Sequence, residues 1–230
     1  MISPFLNDVS IWTLSYHMDN KEPSLLSNTL LEKKQLFANS CGACALLVAA
    51  KELGVDNIPM LPGLYSELTG GRLELTNECE SDLYRITSGS TLYRLQCSDL
   101  SNAGYSMPQG IALACRMLGI DCYISENKSV FSKSLSWLYP EVKKQCEGMG
   151  VQVREEMQED TERFRLKAMA VSIVGIPVGL HWVLCRPDGS FMDPGVGKNS
   201  LNFNELVRNA RKDVGVCGYY DTGISIILGL

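Results

Sequence analysis

The spacing of apolar residues changes part-way along the chain. Up to about residue 150 they recur at helical intervals; from Ala168 they gather into short runs rich in β-branched residues. The stretch Cys41 to Leu53, almost entirely small and aliphatic, predicts a helix built from strong helix formers. Asn39 and Ser40 precede it as N-cap residues and Gly54 follows it as a stop. A second helix is predicted over Ser106 to Leu118, with Pro108 in its first turn and Gly119 at its end. Residues 129–148 read as a third, kinked at Pro140, and Pro23 to Lys34 as a short one. Asn202 to Arg211 reads as a short amphipathic helix, and the charged run Glu155 to Lys167 as a solvated helix or connector. Strands are predicted over Ile120–Ser125, Ala168–Ile176, Val178–Leu184, Ser190–Asp193 and Gly223–Leu228. Residues 54–104, broken by Pro59, Pro62, Gly70 and Gly89, read as loops with a helical turn and a strand or two. Residues 1–22 have weak periodicity and form a lead-in.

Helices first and strands second predict an α+β protein, with an N-terminal helical half packed on a C-terminal, mainly antiparallel β-sheet. The 230 residues suit one catalytic-size domain, with a helical lobe over about 23–150 and a sheet lobe over about 168–230.

Composition narrows the classes. No apolar run approaches the roughly 18 residues that a membrane span needs. The N-terminus lacks the basic flank and apolar core of a secretory signal. Net charge is −5 and no dense Lys/Arg cluster proposes a nucleic-acid surface. Nine cysteines, an odd number and several of them inside apolar periodic stretches, suit reduced thiols in a cytoplasmic compartment better than a disulfide scaffold. There are only two histidines, His17 and His181.

The candidate chemistry begins at Cys41. A thiol in the first turn of a helix faces unpaired backbone N–H groups and the positive end of the helix dipole, a setting that favours the thiolate nucleophile. His181, the sole histidine after that helix, sits on a predicted strand, and Asp193 lies on the next. Arg186 to Gly189 is a turn sequence. Closing a five-residue loop on a Leu184–Ser190 pair sets Val183 opposite Phe191, Trp182 opposite Met192 and His181 opposite Asp193. Directly opposed side chains share a face, so the carboxylate orients the imidazole as in a nucleophile–base–acid triad. Taken singly, each residue has a bland reading: a core cysteine, a half-buried strand histidine, a turn aspartate.

Here the sequence resembles the papain-like cysteine peptidase superfamily. The chain order Gln35, Cys41, His181, Asp193 matches that superfamily's oxyanion-hole glutamine, nucleophile, base and orienting residue, and Gln35 stands six residues before Cys41, the family spacing. Cys41 and His181 are 140 residues apart, inside the about 130–150 of papain-type enzymes. The stretch Asn39 to Gly42 is closer to the bacteriocin-leader-processing branches than to papain. His181 to Leu184 followed by Phe191 to Gly195 is similar to those branches and to cysteine-protease effectors that bacterial pathogens inject into hosts. The resemblance implies a protease acting on a protein or peptide through a thioester, without cofactor or metal, and delivery into a host cytosol. It is confined to these two motifs. Cys41 to Cys44 also fits a pattern whose nucleophile is the second cysteine, but position 45 is alanine instead of aromatic, and Ala38 would replace the glutamine.

Other readings stay open. Glutamine deamidases and transglutaminases use the same triad. A zinc module could draw on Cys41, Cys44, His181 and Cys185, yet His181 and Cys185 lie roughly 13 Å apart on a strand, too far for one ion. A non-enzymatic interaction module is the remaining alternative. Gln109, opening the second helix, is a candidate for lining the cleft or for capping. Gly195 to Gly197 lacks the strand–helix context of a phosphate loop.

Overall fold

The computed structural model describes residues 30–58, 71–88, 100–127, 141–158, 160–173, 176–215 and 218–229. His17, Cys97, Cys217 and the predicted kink at Pro140 lie outside these, as does most of the short helix predicted from Pro23; its last residues, 30–34, are neither helix nor strand. Among the described residues the helices are α1 (Cys41–Glu52), α2 (Asn77–Thr87), α3 (Pro108–Met117), α4 (Val142–Gly148) and α5 (Phe203–Val214). The strands are β1 (Asp121–Asn127), β2 (Val153–Glu156), β3 (Phe164–Ile173), β4 (Ile176–Cys185), β5 (Phe191–Asp193), β6 (Lys198–Ser200) and β7 (Gly218–Gly229). They form one sheet in the order β2-β1-β7-β3-β4-β5-β6, antiparallel except for the β1–β2 edge. The fold is α+β, helices first and sheet second, as the change of period predicts.

The sheet is covered on both faces. Leu166, Ala168, Trp182, Leu184, Met192, Ile224 and Ile226 pack with α1 and α3 in the larger core. Their alternates Met169, Val183, Cys185 and Phe191 pack with Leu206 and Ala210 of α5 in a smaller one. Covered faces explain why β4 reads as a continuous apolar run without polar alternation. Every residue from Cys41 to Ala50 is buried, so α1 is a central helix, which accounts for its lack of a polar face. Gly54 and Gly119 take positive φ (83° and 73°) just past α1 and α3, the backbone that glycine adopts without a Cβ penalty.

Three expectations are corrected. The charged run from Glu155 to Lys167 is no helix: its ends close β2 and open β3, and residues 157–158 and 160–163 are the connector, the other half of the expectation. Phe164, Leu166 and Ala168 face the larger core while Arg165 and Lys167 alternate with them, only 4% and 5% exposed, and Lys167 Nζ meets Asp221 Oδ2 on β7 at 2.5 Å. The loop region contains a full helix, α2, whose N-cap Thr76 accepts the Cys79 N–H. Finally, the hairpin is tighter than predicted. Arg186 and Ser190 flank a three-residue loop with Gly189 at φ +82°, and Leu184 pairs with Met192 instead of Ser190. The register therefore moves by two residues. An even shift preserves the face, so His181 and Asp193 become diagonal neighbours on one side of the sheet.

Candidate active site

The N-terminus of α1 points its first side chain at the backbone of β4. Trp182 N–H donates to Cys41 Sγ at 3.4 Å, and Trp182 Nε1–H donates to Ser106 O at 2.9 Å, pinning the strand at that point. A Cβ on Gly42 would lie 2.6 Å from Ser106 Cβ and 2.8 Å from Ile111 Cδ1. Only glycine at position 42 allows α1 to come this close to the start of α3.

His181 turns from β4 toward the same sulfur. Its Nε2 is 2.7 Å from Asp193 Oδ1, and the ring lies close enough to the Cys41 sulfur for the two to interact electrostatically. Burial disfavours the imidazolium, but the Cys41 sulfur and the Asp193 carboxylate outweigh it and push its pKa up to about 10. Asp193, 1% exposed, accepts three hydrogen bonds: from His181, from Gly195 N–H at 2.8 Å on Oδ1, and from Tyr219 Oη at 2.9 Å on Oδ2. Burial alone would raise its carboxyl; these donors and the imidazole charge hold it below the usual carboxylate range. Tyr219 stacks on the His181 ring with centroids 5.5 Å apart. Burial and the adjacent Asp193 charge keep its phenol protonated. A Cβ on Gly195 would sit 3.3 Å from both Asp193 Oδ1 and His181 Cε1, so the turn after Asp193 closes directly over the pair.

Gln35 arrives beside this turn. Its N–H donates to Pro194 O at 2.8 Å, and three residues on, at Gly197 (φ +74°), a Cβ would meet Lys34 Cβ at 2.6 Å. The Gln35 amide group donates to Phe37 O and Ala38 O, both at 2.8 Å, and its Oε1 is buried without a hydrogen-bond partner. Ser40 holds the N-cap position of α1, but its hydroxyl makes no capping bond. It bonds instead to Glu80 Oε1 of α2 at 2.6 Å.

Glu80 and Tyr219 are absent from the candidates read in the sequence. A glutamate in the first turn of α2 is explained by the helix dipole alone, and a tyrosine opening a strand is ordinary. Neither carries a spacing signal.

The other candidates lie apart from the cluster. Cys44 Sγ donates to Lys33 O at 3.4 Å, and burial together with the Glu80 charge pushes its thiol well above the usual range. Cys185 receives Arg165 Nη2–H at 3.0 Å on the α5 side of the sheet. The four residues considered for zinc therefore do not converge, and among the described residues no group of three or more His, Cys, Asp or Glu is arranged to hold a metal. Gln109 is buried in the first turn of α3 with its Oε1 unpartnered.

A helix-borne sulfur beside a strand-borne imidazole is an arrangement that can carry out thiol hydrolysis, and the class of the protein is a cysteine peptidase. Residues 33–230 match the family model described as "Invasion plasmid antigen J, cysteine protease". Cysteine protease IpaJ of Shigella flexneri is 46% identical over 202 residues, covering 86% of this chain and 78% of that protein. The chain belongs to the IpaJ cysteine protease family. No helix among the described residues is long and apolar enough to cross a membrane.

Proposed function

We propose that Cys41, His181 and Asp193 form the catalytic triad of this peptidase, with Gln35 and the Cys41 N–H as oxyanion donors, in a single papain-like catalytic domain. One observation carries the reading: the only described histidine is bonded to a triply hydrogen-bonded carboxylate and lies within electrostatic reach of the Cys41 sulfur. With Nε2 committed to Asp193, Nδ1 is the nitrogen left to exchange a proton with sulfur.

With the proton already on His181, the Cys41 sulfur attacks a peptide carbonyl of a protein substrate. An S–C bond forms and the carbonyl oxygen becomes an oxyanion, held by the Cys41 N–H and a Gln35 N–H released from Ala38 O. The imidazolium then protonates the leaving amine as the C–N bond breaks, giving a thioester. Water, deprotonated by the now neutral His181, releases the acid and regenerates the thiol. The pKa of about 10 keeps the proton on His181 at neutral pH, available to the leaving amine. Membership in a family described as an invasion plasmid antigen supports action as a bacterial effector on host proteins in a reducing cytosol.

The test is a comparison of protein N-termini in host cells expressing the wild type or Cys41→Ala. New termini confined to the wild type are expected. Identical termini in the two, or a mass gain on intact chains without fragments, would reject the protease triad, the latter in favour of deamidation.

A further inference from the structure

We propose that Glu80 is a positioning residue for the oxyanion donors, the template on which the segment from Lys33 to Cys41 is shaped. The inference deepens the triad reading and rests on it.

Glu80 is a carboxylate with no exposed surface on α2, the helix that packs behind α1. Its partners all come from the one segment that carries Gln35 and leads into Cys41. Lys33 Nζ is 2.5 Å from Oε2. Leu36 N–H donates to Oε1 at 2.7 Å and Ser40 Oγ–H to the same oxygen at 2.6 Å. These anchors lie before Gln35, directly after it and directly before Cys41. Ser40 also accepts the Phe37 N–H at 3.0 Å, and Phe37 O in turn accepts a Gln35 amide N–H. The path from Glu80 to both oxyanion donors is therefore one hydrogen-bonded loop long.

A buried carboxylate is costly unless fully paired, and helix capping does not require this one: the cap of α2 is Thr76 and that of α1 makes no side-chain bond. Its energetic return lies in fixing the loop. Lys33 offsets the charge, with Asn77 Oδ1 as a further partner at 3.1 Å. Oxyanion donors act only when aimed at the atom that becomes charged, so an ångström of drift in this loop costs on the order of 100-fold in rate. Attack at a saturated carbon builds no oxyanion and is indifferent to that drift.

That difference supplies the test. Two probes are applied to the full chain: p-nitrophenyl acetate, which acylates Cys41 through a tetrahedral oxyanion and expels p-nitrophenolate, and iodoacetamide, which alkylates it with loss of iodide. Cys41→Ala provides the background from the other cysteines. Glu80→Gln is expected to slow acylation about 10- to 100-fold while alkylation stays within about twofold. In the Gln35→Ala background the same change is expected to cost clearly less than in the wild type, because one of the two donors it positions is already gone. If Glu80→Gln unfolds, Glu80→Gln/Lys33→Met, which leaves no unpaired buried cation, is judged by the same ratio. Equal losses in both reactions, no loss in either, or additivity with Gln35→Ala overturns the proposal. Wild-type rates in Cys41→Ala would instead overturn the triad reading beneath it.

Discussion

Arg186 and Glu52, 134 residues apart, meet as a fork: Nε to Oε2 at 2.7 Å and Nη2 to Oε1 at 2.8 Å. The guanidinium is 2% exposed and also donates to Leu31 O, at 2.8 Å, and to Asn199 Oδ1. It binds the end of α1, the hairpin after β4 and the segment leading to Gln35 at one point. Bidentate Arg–carboxylate geometry suits this, because its planar donors fix orientation as well as distance.

Removing only the carboxylate strands a buried cation. Glu52→Ala is expected to lower stability by about 3–5 kcal/mol, read from urea unfolding at neutral pH. Glu52→Leu/Arg186→Met, which removes both charges, should recover most of that loss. A single variant as stable as the wild type would show that the fork is a surface-strength pair.

The His181 titration follows from its neighbours. His17→Gln leaves one histidine, so its imidazole resonances in NMR report His181 alone. The ring is expected to stay protonated through neutral pH and titrate near 10. Cys41→Ala and Asp193→Asn should each move it down toward 6.5, since those two groups raise it against burial. The linked stability has a definite sign. A raised folded value stabilises fully below 6.5 and is lost as pH climbs from there to about 10. The depressed Asp193 carboxyl stabilises above 3.8 and is lost as pH falls through its lower folded value. The pair therefore contributes most between about pH 3.8 and 6.5. A midpoint near 6.5 in the wild type would remove the sulfur and carboxylate from the account.

Much of this was legible in the chain and some was not, for physical reasons. The helices α1 and α3 announce themselves because local chemistry sets both ends: apolar helix formers inside, glycine at positive φ outside. His181 and Asp193 survive a misjudged hairpin because strand faces alternate with a period of two and the register erred by two. The strand predicted from Ala168 is β3, but its first residues, 164–167, read as part of the charged run because Arg165 and Lys167 are buried with partners on other strands, which no local pattern records. Glu80, Tyr219 and Arg186 hide for the same reason. A polar residue's burial is decided by what it meets, and each meets its partner across a long stretch of chain.

The neighbouring cysteine separates the two possible nucleophiles. Cys44 Sγ donates to Lys33 O at 3.4 Å and its thiol is pushed well above the usual range, first by burial and then by Glu80. Cys44→Ser keeps a donor for that carbonyl. It is expected to retain cleavage and iodoacetamide labelling within about threefold, whereas Cys41→Ser loses both by 1,000-fold or more, on the order seen when a nucleophile is removed. Loss of labelling in Cys44→Ser with retention in Cys41→Ser would reverse the assignment.

Tyr219 carries the last prediction. Its hydroxyl is the donor to Asp193 Oδ2, and its ring covers His181. Tyr219→Phe keeps the ring and deletes one hydrogen bond to a buried carboxylate, worth about 1.5–3 kcal/mol when the acceptor is charged. That deficit should appear in urea unfolding at neutral pH. Asp193 keeps His181 and Gly195, so the imidazole stays oriented and cleavage should fall less than in Asp193→Asn. With one lowering influence gone, the Asp193 carboxyl moves back toward 3.8, and stability is lost at higher pH as acid is added. Acid unfolding of the variant is thus expected to begin before that of the wild type. Coincident acid limbs, with the neutral-pH deficit unchanged, would mean that Tyr219 acts through packing alone and leaves the carboxylate's charge to its other donors.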